Sequence, residues 1–121
     1  MKALRILVVE DDALIAALLG EMLEGMGHNV CSIVADEDNA VAAAIRCCPE
    51  IMIVDVGLRD GDGVSAVDRI SRGRSIPHMF VTADFVRVKA LRPNAIVVQK
   101  PYREPDIFRA IERTMSVAAL T

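Results

Sequence analysis

Aromatic side chains are scarce in this sequence. They make up only 3% of its 121 residues, and Trp is absent. That excludes modules that stack bases on aromatic platforms. An excess of positive charge is missing too: the formal balance is −3 at pH 7, the wrong sign for a surface that tracks a phosphate backbone. No apolar run reaches the roughly 18 residues that a membrane-spanning helix needs. The N-terminal Met-Lys leads straight into ALRILVV, which is too short for a signal peptide and lacks a small-residue cleavage site. These absences point to a cytoplasmic protein with neither a nucleic-acid nor a membrane partner. Cysteine is sparse. Cys31, Cys47 and Cys48 have no metal-ligand spacing, and the adjacent pair does not readily bridge, so buried, reduced thiols are expected.

What the chain does have is apolar material, 53% of all residues, enough for the packed core of one domain. Short β-branched runs lie at Leu4–Val9, Asn29–Val34, Ile51–Val54, His78–Val81 and Ala95–Val98. They are continuous rather than alternating, the pattern of strands buried on both faces of a parallel sheet. Helical spacing fills the gaps. Ile15, Leu18, Leu19, Met22 and Met26 share one face, with Gly25 and Gly27 at the exit. Val41, Ala44, Ile45 and Cys48 share another, stopped by Pro49. Val64, Val67 and Ile70 follow the turn RDGDG, and Ile107, Ile111 and Met115 follow Pro105. A short helix is expected in ADFVRVKALR, ended by Pro93. The order is strand then helix, five times, which predicts a doubly wound α/β sheet with helices on both faces.

Ligands of such sheets bind beyond the carboxyl ends of the strands. The first run ends in Glu10-Asp11-Asp12, the third in Asp55, the fourth in Thr82-Ala83 and the fifth in Gln99-Lys100-Pro101. Two like charges about 4 Å apart repel by roughly 4 kcal/mol at an effective dielectric near 20. Converging carboxylates therefore call for a counter-charge, and their hard oxygens suit Mg²⁺. A divalent cation would offset the repulsion among Glu10, Asp11 and Asp55 and attract a phosphoryl group. Lys100 adds a movable positive charge and Thr82 a small donor. Together these residues fit phosphoryl transfer to Asp55. Asp12 reads as a helix N-cap. His28 and His78 have no paired ligands and read as turn or surface residues. Arg87, Lys89 and Arg92 read as a solvated helix face.

Four stretches, ILVVEDDALI, IMIVDVGLRDGDG, MFVTAD and VVQKPY, occur in this order. With them the chain resembles, over essentially its whole length, a response-regulator receiver domain of the CheY-like family. The resemblance implies a flavodoxin-like (βα)5 fold with five parallel strands in the order 2-1-3-4-5. It implies that residues 1–121 form one receiver domain, with no output domain. Asp55 then matches the phospho-acceptor, Asp11 a direct Mg²⁺ ligand, and Glu10 an acid acting through water. The backbone carbonyl of Gly57 matches a third protein ligand. Thr82 matches the switch hydroxyl, and Lys100 the phosphate-contacting lysine, followed by a cis peptide bond to Pro101. Gly63 matches the opening of the third helix. The implied partners are a sensor histidine kinase or a histidine phosphotransfer protein, and a downstream protein target. The protein would act as a monomer or a phosphorylation-dependent homodimer, and as a switch rather than an enzyme.

The departures from the family pattern are local. Val97 stands where most receivers carry an aromatic, Arg59 stands where proline is common, and the segment from Thr82 to Lys100 is short. FVTADF resembles in part the F-A-T-G-x-Y motif of single-domain alphaproteobacterial regulators. Phe80, Thr82 and Phe85 fit that motif, and Val81, Ala83 and Asp84 do not. Two other functions stay open at this level. One is a constitutive interaction module with a vestigial pocket, which Val97 favours. The other is a different doubly wound protein. No Gly/Ser/Thr-rich phosphate loop follows the first strand, which disfavours a flavin carrier, and DVG lacks the second acid of an aspartate-nucleophile phosphatase.

Overall fold

The five apolar runs become the five strands of one sheet, and a helix follows each. The computed structural model describes residues 2–120. In chain order the elements are β1 (Arg5–Val9), α1 (Ala13–Gly25), β2 (Asn29–Val34), α2 (Glu37–Cys47) and β3 (Ile51–Asp55), then α3 (Gly63–Gly73), β4 (His78–Thr82), α4 (Phe85–Leu91), β5 (Val97–Gln99) and α5 (Glu104–Ala119). The strand order is β2-β1-β3-β4-β5, and every neighbouring pair is parallel. The chain steps out to β2, crosses back over β1 to β3 and continues outward. Helices therefore cover both faces, as the alternation of strand and helix predicts.

Side chains of a strand alternate between faces, and β1 divides accordingly. Ile6 and Val8 join Leu19 and Leu23 of α1 and Ile107 and Ile111 of α5. Leu7 and Val9 join Ala40 and Ala44 of α2, Val67 of α3 and Val88 of α4. Burial on both faces holds for β1, β3 and β4, but not for β2 or β5, whose residues are mostly half-buried or exposed. The strand order explains the difference, because β2 and β5 are the edges. β5 is also shorter than the apolar run, although Ile96 still accepts the Phe80 N–H at 2.9 Å.

Two helices bury only part of the stripe their large residues mark, and small residues beside it complete the buried face. In α1 the expected Leu19 is buried and Met22 and Met26 pack against the core, joined by Ala16, Gly20 and Leu23, while Leu18 is 54% exposed. In α2 the buried residues are Ala40, Ala43 and Ala44, while Ile45 is 76% exposed. Small residues let a helix lie close on the sheet, so fit rather than size chooses the face. Cys31 and Cys47 are half-buried and Cys48 is exposed, all three free, in place of the expected buried thiols. Cys48 caps α2 in the left-handed region at φ 47°, which turns it outward. His28 is buried rather than superficial, because its Nδ1 accepts the Leu4 N–H at 3.1 Å. The basic strip of α4 is not wholly solvated either. Lys89 donates to the carbonyls of Pro93 and Ala95, and Arg92 pairs with Asp68 at 2.7 Å.

Candidate functional site

The strand register sets up the site. Val9 pairs with Val54, Asp55 with Val81, and Thr82 with Gln99. Glu10, Asp55, Thr82 and Lys100 therefore leave the sheet at one level along one edge. The turn from β3 into α3 closes tightly over that edge. Gly61 adopts φ +88°, the left-handed region that suits glycine. Gly63 donates its N–H to the Val56 carbonyl at 3.0 Å, and a Cβ on it would collide with the backbone of Asp55. Glu37 at the start of α2 holds the same turn. Its carboxylate accepts the Asp62 N–H, the Ser65 hydroxyl and Arg69 at 2.8 to 3.0 Å. Arg69, then the Ser65 hydroxyl, hold that carboxyl below the usual range.

The three carboxylates meet: ligand atoms of Glu10, Asp11 and Asp55 all lie within 4.8 Å of one another. Glu10 and Asp55 are only 4% and 7% exposed, and Asp11 is half-buried. Lys100 Nζ sits between the first two, 2.8 Å from Glu10 Oε1 and 3.2 Å from Asp55 Oδ2. Glu10 Oε2 accepts the Asp12 N–H at 3.1 Å, and Asp55 Oδ1 accepts the Gly57 N–H at 3.2 Å. Burial, then the hydrogen bond shared with Asp55, push the Glu10 carboxyl above the usual carboxylate range. Burial is also the largest single influence on Lys100 and pulls it down. Glu10 and Asp55 together outweigh that pull, so the ammonium titrates above its ordinary range. One ammonium faces two buried carboxylates, and among the described residues Asp11 has only exposed Arg59 as an ion-pair partner, 3.9 Å away. Hard oxygens in net excess over cations are the donor set that Mg²⁺ takes.

A family model described as the response regulator receiver domain matches residues 6–112. The chain belongs to this family. Its relatives include the phyllosphere-induced regulator PhyR of Methylorubrum extorquens, 32% identical over 117 residues that cover 93% of this chain and 44% of that protein. Another is the transcriptional regulatory protein PdtaR of Mycobacterium tuberculosis, 34% identical over 93% of this chain and 57% of its own. The chain thus spans about half the length of the curated relatives it matches. Among solved structures, the receiver domain of PhyR from Erythrobacter litoralis superposes with a TM-score of 0.86 at 26% identity, covering 95% of this chain and 92% of that one. The anti-anti-sigma factor PhyR from Bartonella quintana gives 0.88 at 27% identity, covering 98% and 50%. A receiver with a clustered acidic triad is therefore what this fold and site present, rather than an enzyme active site.

Of the residues singled out by sequence, the receiver brings Glu10, Asp11, Asp55 and Lys100 together and ties Gly57 to Asp55 through its amide. Lys100-Pro101 is cis. Thr82 stands apart in one respect: its hydroxyl accepts the Asp84 N–H at 3.0 Å, and among the described residues no hydrogen bond joins it to Asp55. Asp12 caps α1 and Asp84 caps α4. Phe85 is 37% exposed and Val97 half-buried. Sequence reasoning missed Gln99 and the role of Glu37. The only signal for Gln99 was an amide at the end of an otherwise apolar run, and nothing local distinguished Glu37.

Proposed function

We propose that this receiver accepts a phosphoryl group on Asp55 from the phosphohistidine of a sensor histidine kinase or a histidine phosphotransfer protein, and passes the signal on by protein contact. The observation that carries this reading is the convergence of Glu10, Asp11 and Asp55 around the Lys100 ammonium. An Asp55 carboxylate oxygen attacks phosphorus, a P–O bond forms, the P–N bond to the donor imidazole breaks, and the imidazole leaves with that electron pair and takes up a proton. Glu10, Asp11, Asp55 and the Gly57 carbonyl would hold Mg²⁺. When bound, the ion neutralises the converging carboxylates and the phosphoryl oxygens, as in other phosphoryl transfers. Lys100 lies where it can move from Asp55 to a phosphoryl oxygen, and Thr82 supplies a second donor from the end of β4.

A groove beside the site suits the donor. Ile15, Leu18 and Met22 of α1 face Pro101 and Tyr102 across about 470 Å³, with Lys100 at its edge. An apolar helix presenting a histidine fits that shape. Residues 1–121 act in this reading as one receiver unit in the cytoplasm, as a monomer or a phosphorylation-dependent homodimer. Among the described residues no helix is long and apolar enough to cross a membrane. Incubation with acetyl phosphate and Mg²⁺ tests the reading by intact mass. One added phosphoryl group is expected in the wild type and none in Asp55→Asn. No gain in the wild type overturns it and favours the module with a vestigial pocket that Val97 suggests, and an undiminished gain in the variant overturns it by placing the phosphoryl group on another residue.

A further inference from the structure

Gln99 is the last residue of β5 and is exposed, yet its side chain makes three hydrogen bonds. Its Oε1 accepts the Phe85 N–H at 3.1 Å. Its Nε2 donates to the Ala83 carbonyl at 2.8 Å and to the Lys100 carbonyl at 3.0 Å. Ala83 and Phe85 flank Asp84, whose own N–H is held by the Thr82 hydroxyl. On the strand side, the Lys100 N–H donates to the Thr82 carbonyl at 2.7 Å. One side chain thus staples the β4–α4 turn to the end of β5 on either side of the amide that occupies Thr82. The turn has little else to hold it. Ala83 and Asp84 are exposed, and of the seven residues of α4 only Val88 is buried.

We propose that Gln99 is a positioning residue, a latch that holds the β4–α4 turn in its resting conformation and must yield before Thr82 and α4 can follow the state of Asp55. The proposal rests on the phospho-acceptor reading. Val97 puts an aliphatic group where most receivers carry a strand-five aromatic, so the hydrogen-bonded Gln99 amide is the polar side chain of β5 that spans this turn. A two-state turn responds to a ligand only through bonds that differ between its states. Two of the three Gln99 bonds, to Phe85 and Ala83, join the turn to β5 through its side chain, and the third, to the Lys100 carbonyl, steadies the amide on the strand side.

The test compares wild type, Gln99→Ala and Gln99→Glu. Glutamate keeps an acceptor for the Phe85 N–H but has no donor for Ala83 or Lys100. Two readouts are taken: amide hydrogen exchange of the free protein, and titration with beryllofluoride, a phosphoryl mimic, at saturating Mg²⁺. In Gln99→Ala the Phe85 amide should exchange about threefold to tenfold faster, the range set by one net hydrogen bond. The half-saturating beryllofluoride concentration should fall by about the same factor, because the resting state is no longer favoured. In Gln99→Glu the Phe85 amide should stay protected while the half-saturating concentration still falls. Unchanged exchange at Phe85 in Gln99→Ala overturns the latch. So does equal beryllofluoride binding by all three proteins, with the phospho-acceptor reading left standing. A wild type that binds no beryllofluoride overturns that reading and the coupling together, and the exchange data then report the staple alone.

Discussion

At the residue scale, His28 shows how burial turns a polar side chain into a pH-dependent strut. The residue is 3% exposed, Nδ1 accepts the Leu4 N–H, and among the described residues Nε2 has no hydrogen-bond partner. A ring that accepts at Nδ1 must be neutral, with its proton on Nε2. Burial, and then the positive N-terminus, pull its pKa below the ordinary 6.5. The folded state therefore favours the deprotonated ring. Its contribution is fully present above about pH 6.5 and is lost as pH falls below that towards the lowered folded value. Urea unfolding of wild type and His28→Leu should show a stability gap that is constant near neutrality and shrinks as pH drops towards 5. A gap independent of pH would mean that the ring carries no linked proton. None of this is legible in the sequence, where GMGHNV reads as a turn. The partner of the imidazole, Leu4 just ahead of β1, lies 24 positions away.

At the scale of elements, the hydrophobic period located the helices but caught only part of the buried face of two. The expected stripe on α2 runs through Val41, Ala44, Ile45 and Cys48; the sheet takes Ala44 together with Ala40 and Ala43, Val41 packs at the edge of the core, and Ile45 and Cys48 are exposed. Periodicity weights residues by size, and close packing against a sheet rewards absence of size. The same argument yields a prediction at Gly63, the first residue of α3. A Cβ there would strike the Asp55 carbonyl and a methyl of Val54. Backbone cannot swing aside as a long side chain can, so Gly63→Ala should lose about 1–3 kcal/mol, read from the urea midpoint at unchanged slope. It should also weaken Mg²⁺ binding, because the strand end that must shift carries Asp55. The strands were read more accurately than the helix faces. Continuous apolar runs located β1, β3 and β4 within a residue or so, and only the edge strands β2 and β5 failed to be buried on both sides.

At the scale of the whole molecule, the acidic cluster is a fault in stability that a cation can mend. Three carboxylates from two strand ends converge, and the Lys100 ammonium reaches only two of them; any ion that binds the folded form alone stabilises it by mass action. Thermal unfolding should shift upward with Mg²⁺. At free Mg²⁺ about a hundred times the dissociation constant the gain is about 2.7 kcal/mol. Asp11→Asn should abolish most of the shift and leave the metal-free protein at least as stable as wild type, because it removes one of the converging negative charges at the cost of only a 3.9 Å contact to exposed Arg59. Equal shifts in both proteins would place the ion elsewhere. The residue types at the strand ends, the alternation of strand and helix, and hence the parallel doubly wound class were determined by the sequence alone, because each rests on local chemistry and spacing. Which helix faces are buried, the sinking of His28, the closure of the β3–α3 turn under Glu37 and the Gln99 staple were decided only by the tertiary structure. Each depends on how closely two segments far apart in the chain approach, and no local pattern of residues encodes that distance.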